Sequence, residues 1–159
     1  MERMILIRKA VMTDCQPIHH LIQTSFQIYR HDPVTASALH ETRLSIALRL
    51  SRHEEAFVCM KDNRIVGCIF YAQNQHVCTF FRLSVDPAYQ GQGISKLLLK
   101  TVEQEALNRS CHELMCETRA TNIPFYAKQG YEEVSFNTSS SLYVFKKSLN
   151  MSKKTWQCA

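Results

Sequence analysis

The densest chemical signal runs from Thr79 to Leu99: T-F-F-R-L-S-V-D-P-A-Y-Q-G-Q-G-I-S-K-L-L-L. An apolar run with strand propensity passes Pro87, two near-adjacent glycines (Gly91, Gly93) and the small Ser95. The pattern then turns helical, with Ile94, Leu97, Leu98, Thr101 and Val102 recurring on one face. A strand that feeds a glycine-rich turn into a helix leaves backbone N–H groups unpaired at the helix start. Those donors and the helix dipole favour an anionic oxygen such as a phosphate. The loop has neither the G-K-[ST] ending of Walker A nor the dinucleotide fingerprint. The same glycines also suit a plain tight turn, so the loop alone leaves both readings open.

Other reactive side chains give weaker patterns. The seven cysteines are Cys15, Cys59, Cys68, Cys78, Cys111, Cys116 and Cys158, an odd number without a C-x-x-C pair. Several sit in apolar, strand-like runs, where a free thiol behaves as a small hydrophobe and a reducing compartment is implied. Cys111-His112 with Cys116 imitates a metal cluster, but no second ligand pair supports zinc, and no metal is expected. Cys78 has the type of a covalent nucleophile, although a core role is the simpler assignment.

The elements that must position these residues follow from length and pattern. The chain has 159 residues, enough for one domain with a real core, and a hydrophobic fraction of 45%. No run is long and apolar enough to span a membrane, and Met1 to Lys9 lacks a signal-like core, so a cytoplasmic protein without a membrane partner is the default. The net charge of +5 is scattered, and the densest basic group, Lys146, Lys147, Lys153 and Lys154, reads as a solvated tail. No basic-aromatic strip marks nucleic acid.

Met4 to Val11 reads as a strand. Thr13, with Gln16, forms a candidate capping box for a first helix reaching about Tyr29, with Ile18, Leu21, Ile22 and Phe26 as its apolar stripe. Asp32-Pro33 signals a second helix running to about Leu50. Glu55 to Met60, Arg64 to Ala72 and His76 to Val85 read as an antiparallel meander, with turns at Lys61-Asp62-Asn63 and Asn74-Gln75. A third helix spans about Gly93 to Asn108. His112 to Glu117 is a short strand parallel to its predecessor. Asn122 caps a short helix that tolerates Pro124 and ends at Gly130 as its C′ residue. Tyr131 to Phe136 and Leu142 to Leu149 are the last strands, joined by the polar loop Asn137 to Ser141. Residues 1–149 read as a single domain and 150–159 as a tail in which Trp156 is a candidate anchor. The order β-α-α-β-β-β-α-β-α-β-β gives an α/β (α+β) fold: a central mixed, mostly antiparallel sheet of about seven strands flanked by helices.

Two segments resemble the Gcn5-related N-acetyltransferase (GNAT) superfamily. Gln90-Gly91-Gln92-Gly93-Ile94-Ser95 is similar to its acyl-CoA loop, entered through Val85-Asp86-Pro87-Ala88-Tyr89, with Ser95 where Gly or Ala is usual. Asn122-Ile123-Pro124-Phe125-Tyr126-Ala127-Lys128-Gln129-Gly130-Tyr131 looks like its second signature, with Pro124 where Ala is common. The resemblance spans most of the chain in element order and implies an acyl-CoA N-acyltransferase-like fold. It implies acetyl-CoA as donor, a primary amine as acceptor, and an opening between the strands ending near Val85 and Glu117.

By this resemblance, the backbone of Gln90 to Ser95 wraps the CoA pyrophosphate. Leu83, Ser84 and Val85 pair with pantetheine as an added strand, and the Val85 N–H is a candidate oxyanion donor. Tyr126 is the candidate acid that protonates the departing thiolate; an ordinary Tyr holds its proton at neutral pH. Asn122 and Tyr126 join the cofactor contacts, and Lys128 is a weaker phosphate candidate against a solvent-facing role. Tyr131 is assigned to packing. The position where some relatives carry a basic Glu holds Thr79, so His76, Glu117, a water route and an amine arriving neutral remain open. Phe26, Tyr29, His31 and the loops near Asn74 and Asn137 to Ser141 are candidates for the acceptor side. The implied activity is acetyl transfer to an unidentified small molecule, peptide or protein, by a monomer or homodimer. An inactive acyl-CoA-binding sensor is the alternative.

Overall fold

The computed structural model describes residues 4–150. In chain order the elements are β1 (Leu6–Lys9), α1 (Cys15–Phe26), α2 (Arg43–Ser51), β2 (Glu55–Lys61), β3 (Arg64–Asn74) and β4 (Val77–Val85). They continue with α3 (Ile94–Asn108), β5 (Glu113–Thr118), α4 (Ile123–Lys128), β6 (Glu132–Asn137) and β7 (Leu142–Ser148). The strands form one seven-stranded sheet in the order β1-β2-β3-β4-β5-β7-β6. The expected mixed, mostly antiparallel sheet between helices is therefore the observed fold.

Local sequence explains the connections. Asp62 and Asn63 both take positive φ (54° and 58°), which suits the tight turn between β2 and β3. β1 to β4 pair antiparallel. The α3 crossover makes β5 parallel to β4. β7 then inserts between β5 and β6, antiparallel to both.

Two apolar layers hold the sheet. On one face, Ile94, Leu98, Leu99, Val102 and Ala106 of α3 pack with Phe80, Leu114, Tyr126 and Phe145. On the other, Ile18, Leu21 and Ile22 of α1 and Ile46 of α2 pack on Val58, Cys68 and Phe70. Gly67 of β3 lets α3 approach: a Cβ there would lie 2.9 Å from Ile94 Cγ2. The six described cysteines are free and buried, so Cys78 has the expected core role.

Several boundaries differ from expectation. The first strand is only Leu6–Lys9. Thr13 caps nothing; a 3₁₀ turn at Met12–Asp14 precedes α1, and the Asp14 carboxylate accepts the Val11 N–H (2.8 Å) and two bonds from Arg8. Asp32-Pro33 starts no helix. The Asp32 side chain instead accepts the Val34 N–H in a local turn (2.8 Å), and α2 begins ten residues later behind a Thr42–Ser45 capping box. On α3, Leu97 is 41% exposed while Leu99 is buried, a shift of the apolar stripe by part of a turn. Gly130 does sit past α4 with φ of 90°. The readings of Met1 to Arg3, the 151–159 tail, Lys153, Lys154, Trp156 and Cys158 lie outside the described residues.

Candidate active site

The site exists because two neighbouring strands part. β4 pairs with β5 only through Val77–Glu113, Cys78–Leu114 and Thr79–Met115. Beyond that point β5 follows β7, while β4 continues along β3 to Val85. From Phe80 onward one edge of β4 therefore has no strand partner. A bulge at Cys68/Phe70 places two β4 residues, Arg82 and Leu83, against one of β3, and Arg82 takes φ of 55°. A non-glycine residue in that region costs about 1–2 kcal/mol. The Asp86 N–H donates to Val66 O (2.8 Å) on the β3 side. By strand alternation the Ser84 groups face β3 too, whereas the N–H groups of Leu83 and Val85 face the open edge.

The parted strands border a groove of about 1170 Å³. Leu83, Val85, Gln90, Gly91, Gly93, Ile94, Ser95, Asn122 and Tyr126 all line it, so most of the sequence-derived site converges. Ser84 does not: it is 1% exposed, and its hydroxyl donates to Arg82 O (3.1 Å). Gln92 does not either; its Oε1 accepts from Lys61 Nζ (2.6 Å) in the β2–β3 turn. These two residues are corrections to a contiguous reading of the motif, and alternation along a strand or turn is the reason.

The glycine turn is pinned by the residues that lead into it. Asp86 caps the short 3₁₀ turn Pro87–Tyr89, and Tyr89 Oη donates to Asp62 Oδ2 (3.1 Å). Gly91 and Gly93 have φ of 79° and 78°, and a Cβ on either would meet nothing within 4 Å. The glycines are therefore required by backbone conformation, and the space above them is open. No side chain caps Gly93, so the first N–H groups of α3 remain free as donors.

Tyr126 is 8% exposed and packs against Phe80, Phe125 and Tyr131, with ring centroids 5.9, 5.1 and 5.9 Å away. Burial, then the nearby Cys116 and Tyr29, push its phenol well above the ordinary value of 10. Its proton is thus retained across the neutral range. Cys116, which also lines the groove, is pushed up to about 12 by burial, then by Glu117, and stays a thiol. Cys78 is likewise pushed up to about 12, chiefly by burial. Tyr131 Oη donates to Glu103 Oε1 (3.0 Å), which fits its packing role. Asn122 occupies the cap position of α4, but its Nδ2 donates to Tyr29 Oη (3.1 Å) instead of capping.

The opposite wall holds the charges. Glu117 lines the groove and accepts from Asn137 Nδ2 (2.6 Å). Arg119 donates to Val34 O, pairs with Asp32 (3.4 Å) and lies 4.4 Å from the Tyr29 ring centroid. It thereby straps the segment after α1 onto the end of β5. Arg82, Arg49 and Glu54 also line the wall; the buried Glu41 joins the two arginines, and Arg49 also pairs with Glu54. Phe26, Tyr29 and Ser139 to Ser141 line it as expected; His31 and Asn74 do not. His76 lies in the turn just before β4, at the end remote from Val85, stacks on His112 (4.4 Å) and is outside the groove, which removes it as a base. Lys128 is exposed on α4 and also outside the groove. Sequence reading missed Arg82, Arg119, Glu41 and Glu54. A charged residue inside the apolar run F-F-R-L was the available signal for Arg82.

Among the described residues, no three His, Cys, Asp or Glu side chains come together to hold a metal ion. No helix among them is long and apolar enough to cross a membrane.

A model of the acetyltransferase (GNAT) family matches residues 16–131. An acetyltransferase of Yersinia pestis (strain Pestoides F) is 28% identical over 97 residues, 58% of this chain and 69% of that protein. The ribosomal protein bS18-alanine N-acetyltransferase of Escherichia coli is 37% identical over 62 residues, 39% of this chain and 40% of that one. Among solved structures, the PaiA N-acetyltransferase of Thermoplasma acidophilum in complex with coenzyme A superposes with a TM-score of 0.81. It is 16% identical and covers 91% of this chain and 99% of its own.

Proposed function

We propose, on the premise that the chain belongs to the acetyltransferase (GNAT) family, that it moves the acetyl group of acetyl-CoA to a primary amine. The observation that carries this reading is the parting of β4 from β5. It leaves the N–H groups of Leu83 and Val85, the Gly91–Gly93 turn and the buried Tyr126 around one groove. The fit to the donor is physical. Free N–H groups at the start of α3 suit a pyrophosphate, an unpaired strand edge suits the amides of pantetheine, and the space over both glycines is open.

Acetyl-CoA supplies a thioester, whose carbonyl carbon accepts the amine nitrogen while the carbon–sulfur bond breaks. The Val85 N–H stabilises the charge that develops on the carbonyl oxygen. Tyr126 delivers its proton to the departing thiolate and is reprotonated from solvent. The proton lost by the amine passes to Glu117, directly or through water, since that carboxylate lines the same groove. The acceptor enters along the wall formed by residues after α1, β5 and the Ser139–Ser141 loop. The bS18-alanine N-acetyltransferase match makes a peptide α-amine one class of acceptor to try, beside small-molecule amines.

Incubation with acetyl-CoA and a panel of polyamines, amino acids, aminoglycosides and peptide N-termini tests the reading. Release of free CoA thiol that depends on one amine class supports it. Tight CoA binding without turnover on any amine would assign a sensor instead, and absence of binding would remove both.

A further inference from the structure

We infer that Arg82 is a positioning residue: its ion pair with Glu41 clamps the β4 bulge and so aims the Val85 N–H at the thioester. This rests on the acetyl-CoA reading above. Arg82 stands in left-handed backbone at the bulge, a conformation arginine does not favour. Something outside β4 must therefore hold it. Its side chain is 17% exposed, and Nε and Nη2 donate to Glu41 Oε1 (3.4 and 3.2 Å). Its Nη1 donates to Ser37 Oγ (3.0 Å).

Glu41 is a fixed anchor. Its side chain is 4% exposed and is also held by Arg49 Nε (2.8 Å), Arg49 Nη2 (2.7 Å) and the Ser45 hydroxyl. Its carbonyl meets His19 Nε2 (2.9 Å) and Gln23 Nε2 (3.2 Å) from α1. The clamp thus ties the segment before α2 to the bulge of β4. The bulge decides which backbone groups leave the β3 ladder. A one-residue relaxation would turn the Leu83 and Val85 N–H groups toward β3 and present Ser84 instead. Donor alignment and the shape of the acceptor wall then share one ion pair.

The test uses the full chain with CoA and [1-¹³C]acetyl-CoA as probes. Variants are Arg82→Asn, which tolerates left-handed backbone, Arg82→Lys, which keeps a cation beside Glu41, and Glu41→Gln. Calorimetry gives affinities, and isotope-edited infrared difference spectra report polarisation of the bound thioester carbonyl. Arg82→Asn is expected to weaken CoA by less than about tenfold, because the glycine turn still holds the pyrophosphate while the Leu83 and Val85 N–H groups leave pantetheine, and to shift the bound carbonyl band back toward its unpolarised position. Thiol release with the best amine should fall about 10²-fold, the usual cost of losing an oxyanion donor. Glu41→Gln should reproduce both changes, the double variant should add little, and Arg82→Lys should restore part of each. An unchanged carbonyl band in Arg82→Asn, or parallel loss of CoA affinity and thermal stability with no rescue by Arg82→Lys, would overturn the clamp. Should Arg82→Asn not fold, the Arg82→Lys and Glu41→Gln spectra decide by the same criterion. Failure of the unaltered protein to bind either probe overturns the parent reading and the clamp with it.

Discussion

Tyr126 concentrates the chemistry of single residues. Its type and its place in the Asn122–Tyr131 segment were visible in the sequence, but its burial was not. An ordinary phenol is already protonated at neutral pH; burial raises this one well above 10 and extends that state into alkali. Replacing Tyr126 by Phe removes the proton and little volume. We expect turnover to fall about 10²-fold, within the range for one acid–base group, with CoA affinity unchanged. Stopped thiol assays and calorimetry check the two halves. The pH profile carries a sign as well. An acid whose pKa is raised keeps its proton further into alkali, so turnover should show no descending limb from this residue below about pH 10. Arg82 showed in the sequence only as a charge inside an apolar run, and its pairing with Glu41, like the contact of Arg119 with Val34, was illegible because the partners lie far apart in the chain.

Elements were legible where short-range patterning decides them and illegible where capping competes. The β2–β3 hairpin, the glycine turn and the parallel β5 follow from local signals. Asp32-Pro33 misled because the Asp32 carboxylate closes a turn onto Val34 rather than capping a helix. The bulge in β4 left no trace in the F-F-R-L-S-V run. Two substitutions probe how elements meet. Gly67→Ala forces a Cβ to 2.9 Å from Ile94 Cγ2, so α3 must lift from β3. A loss of about 1–3 kcal/mol in denaturant unfolding is expected. Gly93→Ala meets no atom but places a side chain at φ of 78°. It should cost about 1–2 kcal/mol of loop strain and weaken CoA more than it lowers the melting temperature.

At the scale of the molecule, carboxylates held by arginines join the layers. Hydrogen bonds from Arg8 outweigh burial and hold Asp14 below its ordinary 3.8. Burial acts to raise Glu41, but hydrogen bonds from Arg49 and Ser45 and the charges of Arg49 and Arg82 outweigh it and hold Glu41 below 4.5. Groups with depressed pKa stabilise the fold above their unfolded values and lose that contribution as pH falls through the folded ones. Urea midpoints should therefore be flat near neutrality and drop below about pH 4.5, less steeply in Asp14→Asn. The order of layers was readable from the alternation of strand and helix signals. The groove was not, since it arises from where β4 leaves β5, a long-range pairing choice. The account stands on that groove being an acetyl-transfer site. The most direct measurement is thiol release from acetyl-CoA across the amine panel, with Tyr126→Phe in parallel. The account expects amine-dependent release in the unaltered protein and about 10²-fold less in the variant at equal CoA affinity; equal release from both would contradict it.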